Sequence, residues 1–89
     1  MLSVKDKRVI QELSSKYDVK RVLVFGSAAR DESGFRDIDL AVEGINPKDF
    51  FAFYGALLRQ LSMPVDLVDL SRSSRFTRMI REEGVPVHG

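Results

Sequence analysis

Two aspartates, Asp37 and Asp39, open an apolar run, Asp37-Ile38-Asp39-Leu40-Ala41-Val42. In an extended strand residues i and i+2 project to one face, so the spacing aims both carboxylates at one spot. Such a pair repels itself unless a cation sits between its members, and all-oxygen ligands suit Mg²⁺ or Mn²⁺. Ten residues before Asp37 comes Ser27, within Phe25-Gly26-Ser27-Ala28-Ala29-Arg30. There a glycine-serine turn leaves an apolar strand and opens a short helix, where backbone N–H groups and a hydroxyl can hold phosphate. A phosphate cradle beside a metal-binding pair is equipment for nucleoside triphosphate chemistry.

The elements that must position these groups can be read from periodicity. Residues 3–17 read as a helix that Ser3 can cap, with Val9, Ile10, Leu13 and Tyr17 on one face and Asp18 at its end. Residues 20–25 read as a buried strand, 26–30 as the short helix, and 31–36 as a polar loop. The aspartate strand runs over 37–43, and Gly44 releases it. Asn46 and Pro47 start a helix in which Phe50, Phe53, Tyr54, Leu57, Leu58 and Leu61 recur at helical spacing, to about residue 62. Pro64 breaks it before a third strand over 65–70. Ser73 or Ser71 caps a last helix carrying Phe76, Met79 and Ile80, with Gly84 its stop, and Val85-Pro86-Val87 can add an edge strand.

The first two strands, joined by a loop, can pair antiparallel, whereas an intervening helix makes the second and third parallel. The expected fold is therefore α+β, a small mixed sheet flanked by helices that lie largely on one face.

A third carboxylate is available. Asp66 and Asp69 differ by an odd number, so only one can share the face of Asp37 and Asp39. Asp66, near the start of its strand and beside Pro64, is the better placed if the strands are neighbours. Three carboxylates could position phosphates around one or two Mg²⁺ and help deprotonate an attacking hydroxyl. Asp69 reads instead as a solvated charge.

Arg72, Arg75, Arg78 and Arg81 give the last helix a basic side, read as a solvated face with an Arg78–Glu82 pair. His88 reads as a frayed terminus. Phe51 falls outside the main apolar stripe and is assigned to the edge of the core, with a partner surface as the other reading.

Bulk properties narrow the field. Eighty-nine residues suffice for a single domain spanning 1–89, with little left to wall off a cleft, so a partner or second copy is expected to complete it. A formal net charge of +1 argues against direct nucleic-acid binding. The absence of cysteine removes disulfides and thiolate chemistry. With no apolar leader and no membrane span, the expected setting is cytoplasmic.

Gly26-Ser27, the step to Asp37-x-Asp39, and the later Val65-Asp66-Leu67 resemble the DNA polymerase β-type nucleotidyltransferase superfamily, in its minimal nucleotidyltransferase (MNT-domain) branch. The resemblance spans residues 8–88. It implies that Gly26 and Ser27 hold the triphosphate of ATP. It implies that Asp37, Asp39 and Asp66 are the catalytic and metal-binding carboxylates, Asp66 helping to activate the acceptor hydroxyl. Arg30 matches the arginine of the family's Gly-Ser-x-Ala-Arg phrase. This chain has Asp31 where the family often has glycine, and Arg36 where it often has serine, which makes Arg36 a substitute phosphate contact. Members of this branch act with a HEPN-domain ribonuclease as a toxin–antitoxin pair, the MNT protein transferring AMP from ATP to a tyrosine of the toxin. Two other readings stay open: a non-catalytic antitoxin that masks its partner by contact, and a transferase acting on a small molecule of the antibiotic type.

Overall fold

The computed structural model of the chain describes residues 2–30 and 34–89. Asp31, one of the two departures from the family phrase, lies outside these residues. Helix α1 (Val4–Lys16) is capped by Ser3, whose hydroxyl accepts the Asp6 amide at 3.0 Å. Asp18 closes it at φ 54°, a left-handed conformation that aspartate tolerates better than most residues. Strand β1 (Arg21–Phe25) runs directly into the one-turn helix α2 (Gly26–Ala29), and β2 (Ile38–Glu43) follows. Asp37 therefore stands one residue ahead of its strand rather than inside it.

Asn46 accepts the Lys48 amide and starts a 3₁₀ turn, Pro47–Asp49, that leads into helix α3 (Phe50–Gln60). Strand β3 (Val65–Asp69), helix α4 (Arg75–Glu83) and strand β4 (Val85–His88) complete the chain. Ser74, not Ser73 or Ser71, caps α4: its hydroxyl accepts the Thr77 amide while the Thr77 hydroxyl accepts the Ser74 amide. That reciprocal box consumes two amides that a start one or three residues earlier would leave without partners.

The four strands lie in the order β3-β2-β1-β4, with β1 antiparallel to both neighbours and β2 parallel to β3. The mixed sheet is as expected. Its helices are not confined to one face. Ile10 and Leu13 of α1 and Phe53, Ala56 and Leu57 of α3 bury against Val22, Val24, Ile38, Leu40 and Val42 on one side. On the other side Ile80 of α4 closes over Leu23, Phe25, Ala41 and Leu70. Alternation along β2 explains the split: its even positions meet α1 and α3, and its odd ones meet α4. Burying each large apolar side chain of this kind contributes about 1.5–3 kcal/mol.

Other expectations need correction. Leu58 is half-exposed, and Phe51 is 81% exposed and so outside the core edge. Phe76 and Met79 are also substantially exposed, so only Ile80 anchors α4 among the three apolar residues expected there. His88 is not frayed: it pairs with Val22 in β4, and its ring nitrogen lies 3.2 Å from the Val19 carbonyl. Asp6 is buried and accepts the amide (3.2 Å) and hydroxyl (2.5 Å) of Ser62, tying the start of α1 to the end of α3.

Arg81 makes the ion pair that anchors α4, donating to Glu43 at 2.6 Å and to the Leu70 carbonyl at 2.9 Å. Arg21 approaches the same carboxylate at 3.3 Å. The Arg81 hydrogen bond is the main cause holding the Glu43 carboxyl below its ordinary value, with the Arg21, Arg81 and Lys20 charges adding to it against some desolvation. A depressed pKa contributes stability above the unfolded-state value and loses it as pH falls through the folded one. Glu43→Gln is expected to lower stability at neutral pH by up to about 1 kcal/mol, as for a partly exposed pair. The gap from wild type should close below pH 4.5 in a pH series of thermal melts; a gap that persists in acid would remove the ionic explanation.

Candidate active site

The site is built where three chain segments meet at one end of the sheet. Phe25 pairs with Asp39, and Asp39 pairs with Asp66, so the three form a row across β1, β2 and β3. Directly opposed residues of neighbouring strands project to the same face. Asp39 lies two residues before Ala41, and Asp66 two before Val68, both of which face α4. The two carboxylates therefore stand side by side on the α4 face. Asp69 pairs with Val42 and projects to the opposite face, where its carboxylate accepts the Ser71 amide at 2.9 Å. That bond closes a local turn.

Two hydrogen bonds pin the row. The Ile38 amide, between the first two aspartates, donates to the Pro64 carbonyl at 2.9 Å. The Tyr54 hydroxyl donates to the Val65 carbonyl at 2.9 Å, fixing the residue before Asp66 from the helix side. Pro64 thus does more than break a helix, because its carbonyl locks the two acidic segments in register.

Gly26 sits against Asp39. Its φ is +69°, and a Cβ there would overlap the Asp39 Oδ2. The turn can come this close to the carboxylate only because it has no side chain. α2 begins at Gly26 with Phe25 as its N-cap, and a phenylalanine ring has no acceptor for the first-turn amides. Ser27 follows, half-buried.

The electrostatics match this placement. The Asp39 carboxyl is pushed above its ordinary value, first by burial, then by the Asp66 and Asp37 charges, with Arg30 pulling the other way. Asp39, Asp66, Asp37 and Arg30 therefore share one field. Arg36 is exposed in the segment before β2 and is not among the charges acting on Asp39. Among the described residues, no three carboxylate, imidazole or thiol side chains converge on one metal position. The donor set still fits a hard divalent cation, since a carboxylate disfavoured by burial and two like charges is one that a cation would relieve. A cavity of about 210 Å³ lined by Lys7, Gln11, Val24, Val85, Pro86 and Val87 lies between α1 and β4, away from this chemistry.

With this geometry in view, a family comparison decides the assignment: the polymerase β nucleotidyltransferase model matches residues 7–89. The chain belongs to that nucleotidyltransferase family. A solved minimal nucleotidyltransferase is 30% identical, with a TM-score of 0.72 over 90% of this chain and 87% of that one. A toxin–antitoxin complex with AMP-PNP superposes at TM-score 0.77 and 24% identity, covering 93% of this chain and 73% of that one. The MntA–HepT toxin–antitoxin complex gives 0.70 at 23% identity, covering 94% and 70%. No curated protein sequence matches significantly. The nucleotidyltransferase has no helix, among the described residues, long and apolar enough to cross a membrane.

Sequence reasoning missed two parts of this site. The Pro64 and Tyr54 contacts come from segments apart in the chain, and no local pattern announces them. Phe76, whose ring meets that of Phe25 edge-on at 6.0 Å, was legible only as a helix residue.

Proposed function

We propose that this chain transfers AMP from ATP to a hydroxyl of a partner protein, a tyrosine of a HEPN-domain toxin, and so acts as its antitoxin. The observation that carries the reading is the alignment of Asp39 with Asp66 beside the Gly26-Ser27 turn. Likeness to the MntA–HepT complex and to a toxin–antitoxin complex with AMP-PNP supports the partner class and the nucleotide.

In this reading the Gly26 and Ser27 amides and the Ser27 hydroxyl bind the β- and γ-phosphates, and Arg30 offsets their charge. Asp37, Asp39 and Asp66 would hold Mg²⁺, which supplies neutralisation of the phosphates and a more acidic acceptor hydroxyl. Asp39, half-buried, is shielded from the acceptor, whereas Asp66 is exposed and open to a hydroxyl arriving from outside. Asp66 takes the acceptor proton as the oxygen–phosphorus bond forms at the α-phosphate. The bond from that phosphorus to the bridging oxygen breaks, and pyrophosphate leaves in line.

One observation favours a contact-only antitoxin as the second reading. Phe51 and Leu58, one heptad apart on α3, present an apolar strip to solvent that a partner could cover without any chemistry. Intact-mass measurement separates the two. The protein encoded next to this one, incubated with this chain, ATP and Mg²⁺, is expected to gain adenylyl-sized mass. A stable complex with no mass gain, despite ATP binding, would leave contact masking as the function.

A further inference from the structure

We propose that Phe76 is the shelf on which the base of the bound nucleotide stacks. The proposal rests on the nucleotidyl-transfer reading and adds to it a subsite for the half of ATP that the phosphate and metal groups do not touch. Phe76 stands in the first turn of α4, the helix that covers the face carrying Asp39 and Asp66. Its ring packs against Phe25 at 6.0 Å and 81°. Phe25 is the register partner of Asp39 and the residue before Gly26, so Phe76 lies one side chain away from both the carboxylate and the phosphate turn.

The contact fixes the ring without consuming it. Phe25 is 9% exposed and Phe76 49%, so one ring is sealed and the other keeps half its surface in water. Edge-to-face packing engages one ring's edge with the other's face and holds orientation, which leaves a planar surface available at little further entropic cost. Covering Phe25 requires only bulk, and a leucine would do it. A flat π surface beside a triphosphate site is the part that phenylalanine adds. Stacking of this sort accepts any base, so the shelf sets affinity rather than choice of nucleotide.

The test titrates the full chain in Mg²⁺ with AMP-PNP, GMP-PNP and inorganic tripolyphosphate by calorimetry. Phe76→Leu, which keeps apolar cover over Phe25, and Phe76→Ala are each expected to weaken both nucleotides about tenfold. Tripolyphosphate, which has no base, should bind every variant alike, and Phe76→Tyr should restore nucleotide binding. Wild-type affinity for AMP-PNP in Phe76→Leu would overturn the shelf, as would equal losses for nucleotide and tripolyphosphate. Unchanged nucleotide binding with lost capture of the partner protein would overturn it too, reassigning Phe76 to protein docking. A wild-type chain that binds neither AMP-PNP nor tripolyphosphate would instead overturn the nucleotidyl-transfer reading beneath it.

Discussion

Asp39→Asn is expected to reduce nucleotidyl transfer by roughly a hundred- to a thousandfold, the scale of losing metal-borne charge stabilisation at a phosphoryl centre. The same change should make the cation-free protein more stable at neutral pH. Asp39 is disfavoured in its charged form by burial and by the Asp66 and Asp37 charges, and asparagine removes that repulsion while keeping the shape. Addition of Mg²⁺ should reverse the order, because only the wild type gains stability from a cation bound to the native state. Thermal melts with and without Mg²⁺, run beside a transfer assay, read both effects. Loss of transfer together with loss of stability in the absence of cation would mean that Asp39 is part of the folding framework. Unchanged transfer would end the metal-centred reading. Extending the substitution to Asp37→Asn/Asp39→Asn gives the cleaner control for the mass experiment: a catalytic antitoxin loses its product, and a contact antitoxin keeps its complex.

How far the sequence carried this site depends on which kind of signal each part leaves. Asp39 and Asp66 were legible because strand periodicity fixes a face, and the parallel register then set them opposite each other. Asp37 was placed by the same rule although it stands outside β2, and its charge nevertheless reaches Asp39. Parity left one place for Asp66 or Asp69, and the position of Asp66 near the strand start beside Pro64 favoured it. The register of β2 with β3 sets it opposite Asp39, while Asp69 closes a turn with Ser71. The cap of α4 was less legible, because residues 71–74 hold three serines and an arginine, each serine able to cap. Only the Thr77 hydroxyl, reaching back to the Ser74 amide, decides among them.

The face on which α4 packs was not legible from its own pattern. Phe76, Met79 and Ile80 share a helical face, yet only Ile80 is fully buried, because the Leu23, Phe25, Ala41 and Leu70 patch is too small to cover all three. Periodicity reports that a stripe exists and does not report the width of the surface that receives it. The same limit explains Leu58, which shares its helix with Phe53 and Leu57 but lies beyond the reach of the sheet. The surplus apolar surface on α4 falls beside the candidate active site, and that on α3 falls elsewhere. Under the proposals made above, the first strip would serve the nucleotide and the second a partner.

Gly26→Ala is the second large effect. It is expected to cost about 2–4 kcal/mol, combining the left-handed backbone penalty of a non-glycine residue with the strain of forcing a methyl into an occupied site. The occupied site is the Asp39 carboxylate itself, whose Oδ2 lies where the new Cβ must go. For a domain of this size the loss corresponds to a fall in Tm of roughly ten degrees or more. Transfer should fall as well, since the carboxylate must rotate away or the turn must open, and either movement separates the phosphate cradle from the acidic row. A double-mutant cycle isolates the contact from the backbone penalty. In an Asp39→Ala background the methyl group has room while φ remains +69°, so the cost of Gly26→Ala should shrink by about 1 kcal/mol or more. An undiminished cost in that background would mean that the backbone alone demands glycine, and that the carboxylate is not what the turn was built to approach. A diminished one ties Gly26 to a physical cause: the residue is there because the turn and the Asp39 carboxylate share one small volume.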